Sequence, residues 1–373
     1  MIYGKEVVLV HVAEIFLKSP YVKRHFQKVL QSRITDKLNH LSISFKIHGW
    51  QHNALLLSGH FSDQDLKTIA QTYGVSYLTP TILTESNFAS IRSALSEIRS
   101  QWKDNAPTSY RITARKDKQL SLSHYSVEYE GSFYFEDWKV DLKKPDLNIV
   151  VDVKSDRTAI YYKKIEGLGG FPYGTQGKVL VLASRGIDSP VAAHLIAKRG
   201  CEVVLLHFGE RPLSGLQSTL EGYAGKSIKT ITLPHIPLLQ EYQRNYDPKY
   251  QCIFCKLSMV VIANRIASLI HAKAIVMGDN LGQVATQTLD NLSLVESLSD
   301  LPLLRPLIGM DKQEIIQLSK KADLFQWFEN TECTFVPSTP ATTMQYRNFQ
   351  QWMETIQFYQ MIDRYWQLYW QNS

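Results

Sequence analysis

Cysteine is scarce in this chain. Four in 373 residues, Cys201, Cys252, Cys255 and Cys333, are too few for a disulfide scaffold at this length. A C-x-x-C pair such as Cys252 and Cys255 in a cytosolic protein reads first as a metal or redox site. Long apolar runs are missing as well: none reaches the roughly 18 residues of a membrane span, so no membrane partner is expected. The start, Met1-Ile-Tyr-Gly-Lys-Glu6, lacks the basic n-region and cleavage site of a signal peptide, and a cytoplasmic location is expected. Internal repeats and low-complexity tracts are absent too. Charge of one sign is only mildly in excess, at +6, but its placement is uneven. Residues 1–177 hold 23 Lys and Arg against 18 Asp and Glu, whereas 178–373 hold 18 against 17. That placement favours a polyanionic partner for the N-terminal half, through counterion release along a phosphate backbone.

What is present begins with Ser184-Arg-Gly-Ile-Asp-Ser189, which joins the apolar run Val179 to Leu182 to a helix expected from about Pro190. A strand-to-helix turn of this kind aims backbone N–H groups and a helix N-terminus at an anion, with Ser184 and Ser189 supplying hydroxyls. Pro190 suits the first helical turn, where its missing N–H costs little. No Gly-Lys-Ser/Thr follows and no G-x-G-x-x-G is present, so neither the Walker loop nor the dinucleotide fingerprint applies.

The turn resembles the S-G-G-x-D-S signature of the pyrophosphate-loop ATP pyrophosphatases. With its flanks, Gly167 to Lys178, Ser189-Pro-Val-Ala-Ala193, Gly278 to Thr288 and Leu304 to Lys312, it resembles the tRNA 4-thiouridine synthetase (tRNA sulfurtransferase) family. The likeness runs in order from about Glu14 to Pro340, and Ala13-Glu-Ile-Phe-Leu-Lys18 matches the family's opening G-E-I-x-L-K with alanine for glycine.

Three domains are expected. Residues 1–80 read as strand, helix, strand, strand, an α+β unit of ferredoxin-like type. Residues 81–173 hold a helix near Phe88 to Lys103 and strands at Tyr110–Ala114, Asp146–Val153 and Thr158–Tyr162, which resembles a THUMP RNA-binding domain. Its expected tRNA-binding residues are Arg111, Arg115, Lys116, Lys118, Lys143 and Lys144, with a solvated charge run as the alternative. Residues 174–373 alternate strands with helices and predict a doubly wound parallel α/β sheet, the pyrophosphate-loop, adenine nucleotide hydrolase-like fold. A helix is expected from Gln283, and the last thirty or so residues read as one aromatic amphipathic helix that packs rather than binds.

The resemblance implies an ATP-dependent sulfurtransferase that adenylates a tRNA uridine, at position eight, and replaces its O4 with sulfur. ATP and Mg²⁺ are the implied cofactors, and a homodimer is the implied assembly. Leu182, Ala183, Ser184, Gly186, Ser189, His207, Phe208, Lys256, Gly278 and Gln287 match ATP-contacting positions. Asp188 would hold Mg²⁺ or orient the reacting groups, with helix capping as its bland alternative.

Arg185 departs from the family, standing where S-G-G has its first glycine. If that position needs a positive φ, an arginine costs on the order of 1–2 kcal/mol. Either the backbone tolerates it and the guanidinium aids phosphate binding, or the chain is a tRNA-binding protein with a non-catalytic loop. Sulfur delivery is equally open. Cys333 resembles the family's catalytic cysteine, and Cys252, Cys255 and Cys333 admit an iron–sulfur cluster, a Cys333 persulfide resolved by the C-x-x-C pair, or structural zinc. The donor would be a cysteine desulfurase persulfide or inorganic sulfide, while Cys201 reads as buried and structural.

Overall fold

The computed structural model describes residues 6–12, 18–51, 53–102, 107–117, 123–284, 286–329 and 333–370. The expectations for Ala13 to Leu17, Lys118 and Asn330 to Glu332 lie outside them. The chain divides into two compact units, Met1–Gly170 and Phe171–Ser373.

The N-terminal unit carries strands β1 (Glu6–Val12), β2 (Phe45–Gln51), β3 (Ala54–Gly59), β4 (Val75–Thr84), β5 (Ser109–Lys116), β6 (Lys139–Val140), β7 (Leu147–Val153), β8 (Thr158–Tyr161) and β9 (Ile165–Glu166). Its helices are α1 (Pro20–His40), α2 (Asp63–Ala70), α3 (Phe88–Ser100) and α4 (His124–Ser132). Helix α1 starts where Ser19 caps the Val22 N–H and Pro20 takes the first position, and it buries Phe26, Leu30, Ile34 and Leu38 at four-residue spacing. A capping box between Ser62 and Asp65 starts α2. The strand order β2-β3-β1-β4, antiparallel throughout, is that of a ferredoxin-like unit. The sheet then continues β4-β8-β7-β5-β6, so β4 runs through the expected boundary at residue 80 and one sheet serves both N-terminal segments. Each segment keeps its own core, one around Leu30, Leu57 and Leu78 and the other around Leu95, Phe135 and Ile149.

In the C-terminal unit, β10 (Lys178–Ala183), β11 (Glu202–Phe208), β12 (Thr230–Leu233), β13 (Ile275–Val276) and β14 (Leu303–Leu304) form a sheet of order β12-β11-β10-β13-β14, parallel throughout. Its helices are α5 (Asp188–Lys198), α6 (Ser214–Ala224), α7 (Ile236–Asn245), α8 (Gln251–Leu269), α9 (Leu289–Ser297), α10 (Lys312–Lys321), α11 (Tyr346–Thr355) and α12 (Phe358–Tyr369). The doubly wound sheet is as expected. The chain leaves β10 in one direction through β11 and β12, then returns to build β13 and β14 on its other side. Ligands collect outside the strand C-termini at such a reversal.

Three details differ from the sequence reading. Residues Pro248–Leu269 are long and apolar enough to cross a membrane by composition alone. Most of this helix is instead core, with Phe254, Leu257, Val260, Ile262 and Ile266 buried against the sheet, and the polar residues Lys256, Asn264 and Arg265 had masked the run. The helix expected from Gln283 starts at Leu289, where Thr288 supplies the cap, because Gly282 turns the preceding backbone at φ 76°. The aromatic tail is two helices, broken at Gln357 with φ 49°. Its packing role holds: Phe349, Phe358, Met361, Ile362 and Tyr365 join the core.

Burial holds two histidines of this unit neutral. The pKa of His194 falls to about 4 through burial, with Lys198 adding to it, and burial alone lowers that of His235 to about 4. Both pKa values lie below the unfolded value near 6.5, so the unfolded chain binds more protons as pH falls through that interval. This stabilisation is complete above pH 6.5 and is lost as pH drops toward 4, by about 2–3 kcal/mol per histidine. Urea titrations of the C-terminal unit between pH 7 and pH 4.5 should show that fall, and His194→Leu should flatten it. An equally steep dependence in the variant would remove His194 as its source.

Candidate active site

The expected phosphate turn lies at the reversal point. Ser189 Oγ accepts from the Ser184 N–H at 2.8 Å and lies 2.9 Å from Ser184 Oγ, closing a small ring at the start of α5. The Gly186 N–H points to Ser184 Oγ at 3.3 Å. Arg185 is not among the described residues with positive φ, so the glycine it replaces is not needed for backbone conformation. Its guanidinium leaves the turn and pairs with Glu329, so the expected aid to phosphate binding is not what the geometry shows.

Asp188 is the first residue of α5 and does not cap it; Ile187 holds the cap position without a side-chain bond. The Asp188 carboxylate instead accepts from Lys312 Nζ at 2.8 Å. Lys312 comes from the first turn of α10, started by a capping box between Asp311 and Glu314.

Beside this pair, Gly278 follows β13 with no room for a side chain. A Cβ there would lie 2.8 Å from the Ser189 backbone N and 2.9 Å from its Cα, so glycine lets the β13 end pack on the first turn of α5. The next residue, Asp279, is a hub that sequence reasoning passed over. Its Oδ1 accepts from Lys256 Nζ at 2.6 Å and lies 3.5 Å from Gln287 Nε2, while Oδ2 is 3.5 Å from Arg305 Nε. The Asp279 side chain is 6% exposed. Gln287 Oε1 and Arg305 Nη2 are buried and make no hydrogen bond to the described residues, while Arg305 Nε is held by Asp279 as an ion pair, so the hub is a dense group of buried polar atoms. The adjacent G-D-N sequence was visible, but nothing local tells that the aspartate gathers Lys256, Gln287 and Arg305 from three other segments.

Leu182 and Ala183 end β10 beside Leu206 and His207 of β11, in register. His207 is buried, and its Nδ1 lies 2.9 Å from the Ala183 carbonyl oxygen, tying the two strand ends together. Phe208 follows, partly buried against the core.

Cys252 lies in the first turn of α8 and Cys255 three residues on, at the start of the second. Burial pushes the Cys255 thiol up to about 12, with the charges of Cys333 and Cys252 adding to it, and its sulfur lies 3.9 Å from His235 Nδ1 and 4.0 Å from Met259 Sδ. Burial also raises the Cys252 thiol, with Cys333 contributing and Lys256 opposing. Cys333 is exposed and Cys201 buried. The Cys333 charge thus bears on both thiols of the C-x-x-C pair. Among the described residues, however, no three His, Cys, Asp or Glu side chains are grouped to hold a metal ion. The donor set that the cluster and zinc readings call for is therefore not shown among the described residues.

On β5, Arg111, Thr113 and Arg115 share the face opposite the buried Tyr110, Ile112 and Ala114, and Lys116 falls on the other side of the alternation. Arg111 Nη1 donates to the Leu142 carbonyl at 3.1 Å, which brings it to the turn of Lys143 and Lys144. Both lysines are exposed, and their backbone N–H groups bind Asp141 Oδ1 at 2.8 and 2.9 Å.

The probable tRNA sulfurtransferase of Thermococcus kodakarensis is 34% identical to this chain over 362 residues, 92% of this chain and 95% of that one. This chain belongs to the tRNA sulfurtransferase family. The Methanothermobacter thermautotrophicus member, also a probable tRNA sulfurtransferase, is 33% identical over 92% of this chain and 91% of its own length. Within the family's span, residues 174–358 match the family described as thiamine biosynthesis protein (ThiI). A crystal structure of a 4-thiouridine synthetase–RNA complex with bound ATP has the same fold, with a TM-score of 0.83 over 98% of each chain at 24% identity. PH1313 of Pyrococcus horikoshii Ot3 follows, at 0.67 over 86% of this chain and all of that one, with 20% identity.

Proposed function

We propose that this family member is an ATP-dependent tRNA sulfurtransferase that makes 4-thiouridine at position eight. The observation that carries the proposal is the Ser184–Ser189 turn at the sheet reversal, with Lys256, Lys312 and Arg305 around it, each held against a carboxylate. Cations paired in this way exchange carboxylate for phosphate when a nucleotide enters. Leu182, Ala183, His207 and Phe208 would line the adenosine side; Ser184, Gly186 and Ser189 would take the phosphates; Lys256, Gly278 and Gln287 would complete the contacts. Mg²⁺ would arrive with ATP as part of the substrate, since it commonly keeps one or two carboxylates and several waters.

In the first step uridine O4 attacks the α-phosphorus, the bond to the bridging oxygen breaks, and pyrophosphate leaves. In the second, sulfur attacks C4 and AMP departs with O4. Cys333 is the proposed carrier, its terminal persulfide sulfur forming the new bond. A thiolate of the C-x-x-C pair then attacks Cys333 sulfur, freeing 4-thiouridine and leaving a disulfide that a reductant must reopen. Cys252 is the better resolving group, since Cys255 is held protonated by burial. The sulfur source for this route is a desulfurase persulfide, whose outer sulfur is attacked by the Cys333 thiolate as the desulfurase thiol leaves; inorganic sulfide cannot charge the reduced Cys333 thiol without an oxidant, and no step passes through a cluster. The test is tRNA-dependent exchange of labelled pyrophosphate into ATP, together with 4-thiouridine appearing in the tRNA. Exchange absent with tRNA still bound would leave the non-catalytic reading.

Residues 81–173 are proposed as the THUMP-like tRNA-binding segment of a cytoplasmic protein that works as a homodimer. Arg111, Lys143 and Lys144 are its first basic group and Arg115 its second. Arg111→Ala with Arg115→Ala should weaken tRNA binding and reduce the slope of log K against log salt by about 1–2, near one unit per lost phosphate contact. An unchanged slope would return these arginines to a solvated face.

A further inference from the structure

Arg185 is the one residue of the phosphate turn that departs from the family signature, and its side chain is committed elsewhere. The guanidinium pairs with the Glu329 carboxylate, and Nη1 donates to the Pro212 carbonyl at 3.1 Å. In the reverse direction the Glu329 backbone N–H donates to the Arg185 carbonyl at 3.0 Å. Arg211 adds a second cation, its Nη2 lying 3.1 Å from Glu329 Oε2. The hydrogen bond from Arg185, together with the two guanidinium charges, holds the Glu329 carboxyl below the usual range. One carboxylate therefore joins the phosphate turn, the loop after β11 and the segment that leads to Cys333.

Glu329 stands four residues before Cys333, and four residues of chain reach at most about 14 Å. Fastening Glu329 to Arg185 by backbone and side chain thus limits how far Cys333 strays from the phosphate turn. On the other side Cys333 lies close enough to the start of α8 for its charge to act on Cys252 and Cys255. We infer that the Arg185–Glu329 pair is a positioning clip for sulfur transfer, which holds the Cys333 segment against the phosphate turn so that the carrier sulfur meets the adenylated base. This rests on the two-step reading above and assigns Arg185 to the second step. A glycine at this position has no side chain with which to make the clip, and the turn itself does not require one.

Small displacements of a reacting group cost up to about a hundredfold in rate, so losing one of several restraints should cost about tenfold. In the full-length protein with tRNA transcript, ATP, and cysteine desulfurase with cysteine as sulfur source, Glu329→Gln should keep pyrophosphate exchange within about twofold of wild type. Its thiolation should fall about tenfold. Arg185→Gly should show the same thiolation loss, and the double variant should be no slower than either single one, as expected for two halves of one contact. Deuterium exchange at the Glu329 amide, which needs no catalysis, should quicken in Arg185→Gly. Equal loss of exchange and thiolation in Glu329→Gln, additive losses in the double variant, or unchanged thiolation would each overturn the clip. A wild-type protein inactive in both assays would instead remove the two-step reading, while amide exchange would still report whether the contact forms.

Discussion

Asp188→Ala should abolish thiolation, by at least about 10³-fold in kcat, and leave tRNA affinity unchanged. Asp188 opens α5 and meets Lys312 Nζ at 2.8 Å, on the C-terminal unit, while the basic groups of β5 lie on the other. Its carboxylate is not the helix cap, so its loss should cost little stability. Removing it strips one negative charge from the place where the triphosphate must sit and leaves Lys312 free to bind phosphate. ATP affinity should therefore hold or rise as kcat collapses, the pattern of a group that acts only in the transition state. Asp188→Asn should do the same, since the charge and not the shape is lost. Isothermal binding of ATP beside single-turnover thiolation would separate the two effects. Loss of ATP binding with undiminished kcat would make Asp188 a ground-state contact, and full activity would remove the turn from the reaction.

Much of the C-terminal unit was legible because buried parallel strands leave a strong trace. Val179–Leu182 and Val203–His207 are apolar runs bounded by turn residues, and helices between them force parallel pairing. The small strand-helix-strand-strand start of the N-terminal unit was legible for similar reasons. Strand β4 was not: Pro80 sits within it, opposite Val8, and proline argues against a central strand. That one omission hides the continuity of the sheet. The phosphate turn was readable because its residues are contiguous. The Asp279 hub was not, since Lys256 lies 23 residues away from it in sequence and the link is a charge meeting a charge. Arg185 and Glu329 are 144 residues apart, so the departure at Arg185 was visible while its partner was not.

Cys333→Ser should stop sulfur insertion and leave pyrophosphate exchange measurable, because the nucleotide binds at the strand ends and sulfur is carried on a different segment. Cys333 is the exposed thiol of the three and its charge bears on the other two, which makes it the one able to receive sulfur from a donor protein. Cys252→Ser should allow a first turnover and then stall at the mixed disulfide. Cys255→Ser should be milder if a persulfide is used, since a thiol held at about 12 contributes little thiolate at neutral pH. Cys201→Ser should keep both half-reactions, as its thiol is buried and takes no part in the group. A cluster predicts a different pattern: serine at any of the three would bleach a visible absorbance and abolish transfer equally. Iron and sulfide analysis after anaerobic purification and reconstitution decides between them. Iron-free protein that thiolates tRNA from a persulfide donor fixes Cys333 as the carrier. Stoichiometric iron lost in all three variants, with equal loss of activity, would overturn the persulfide route.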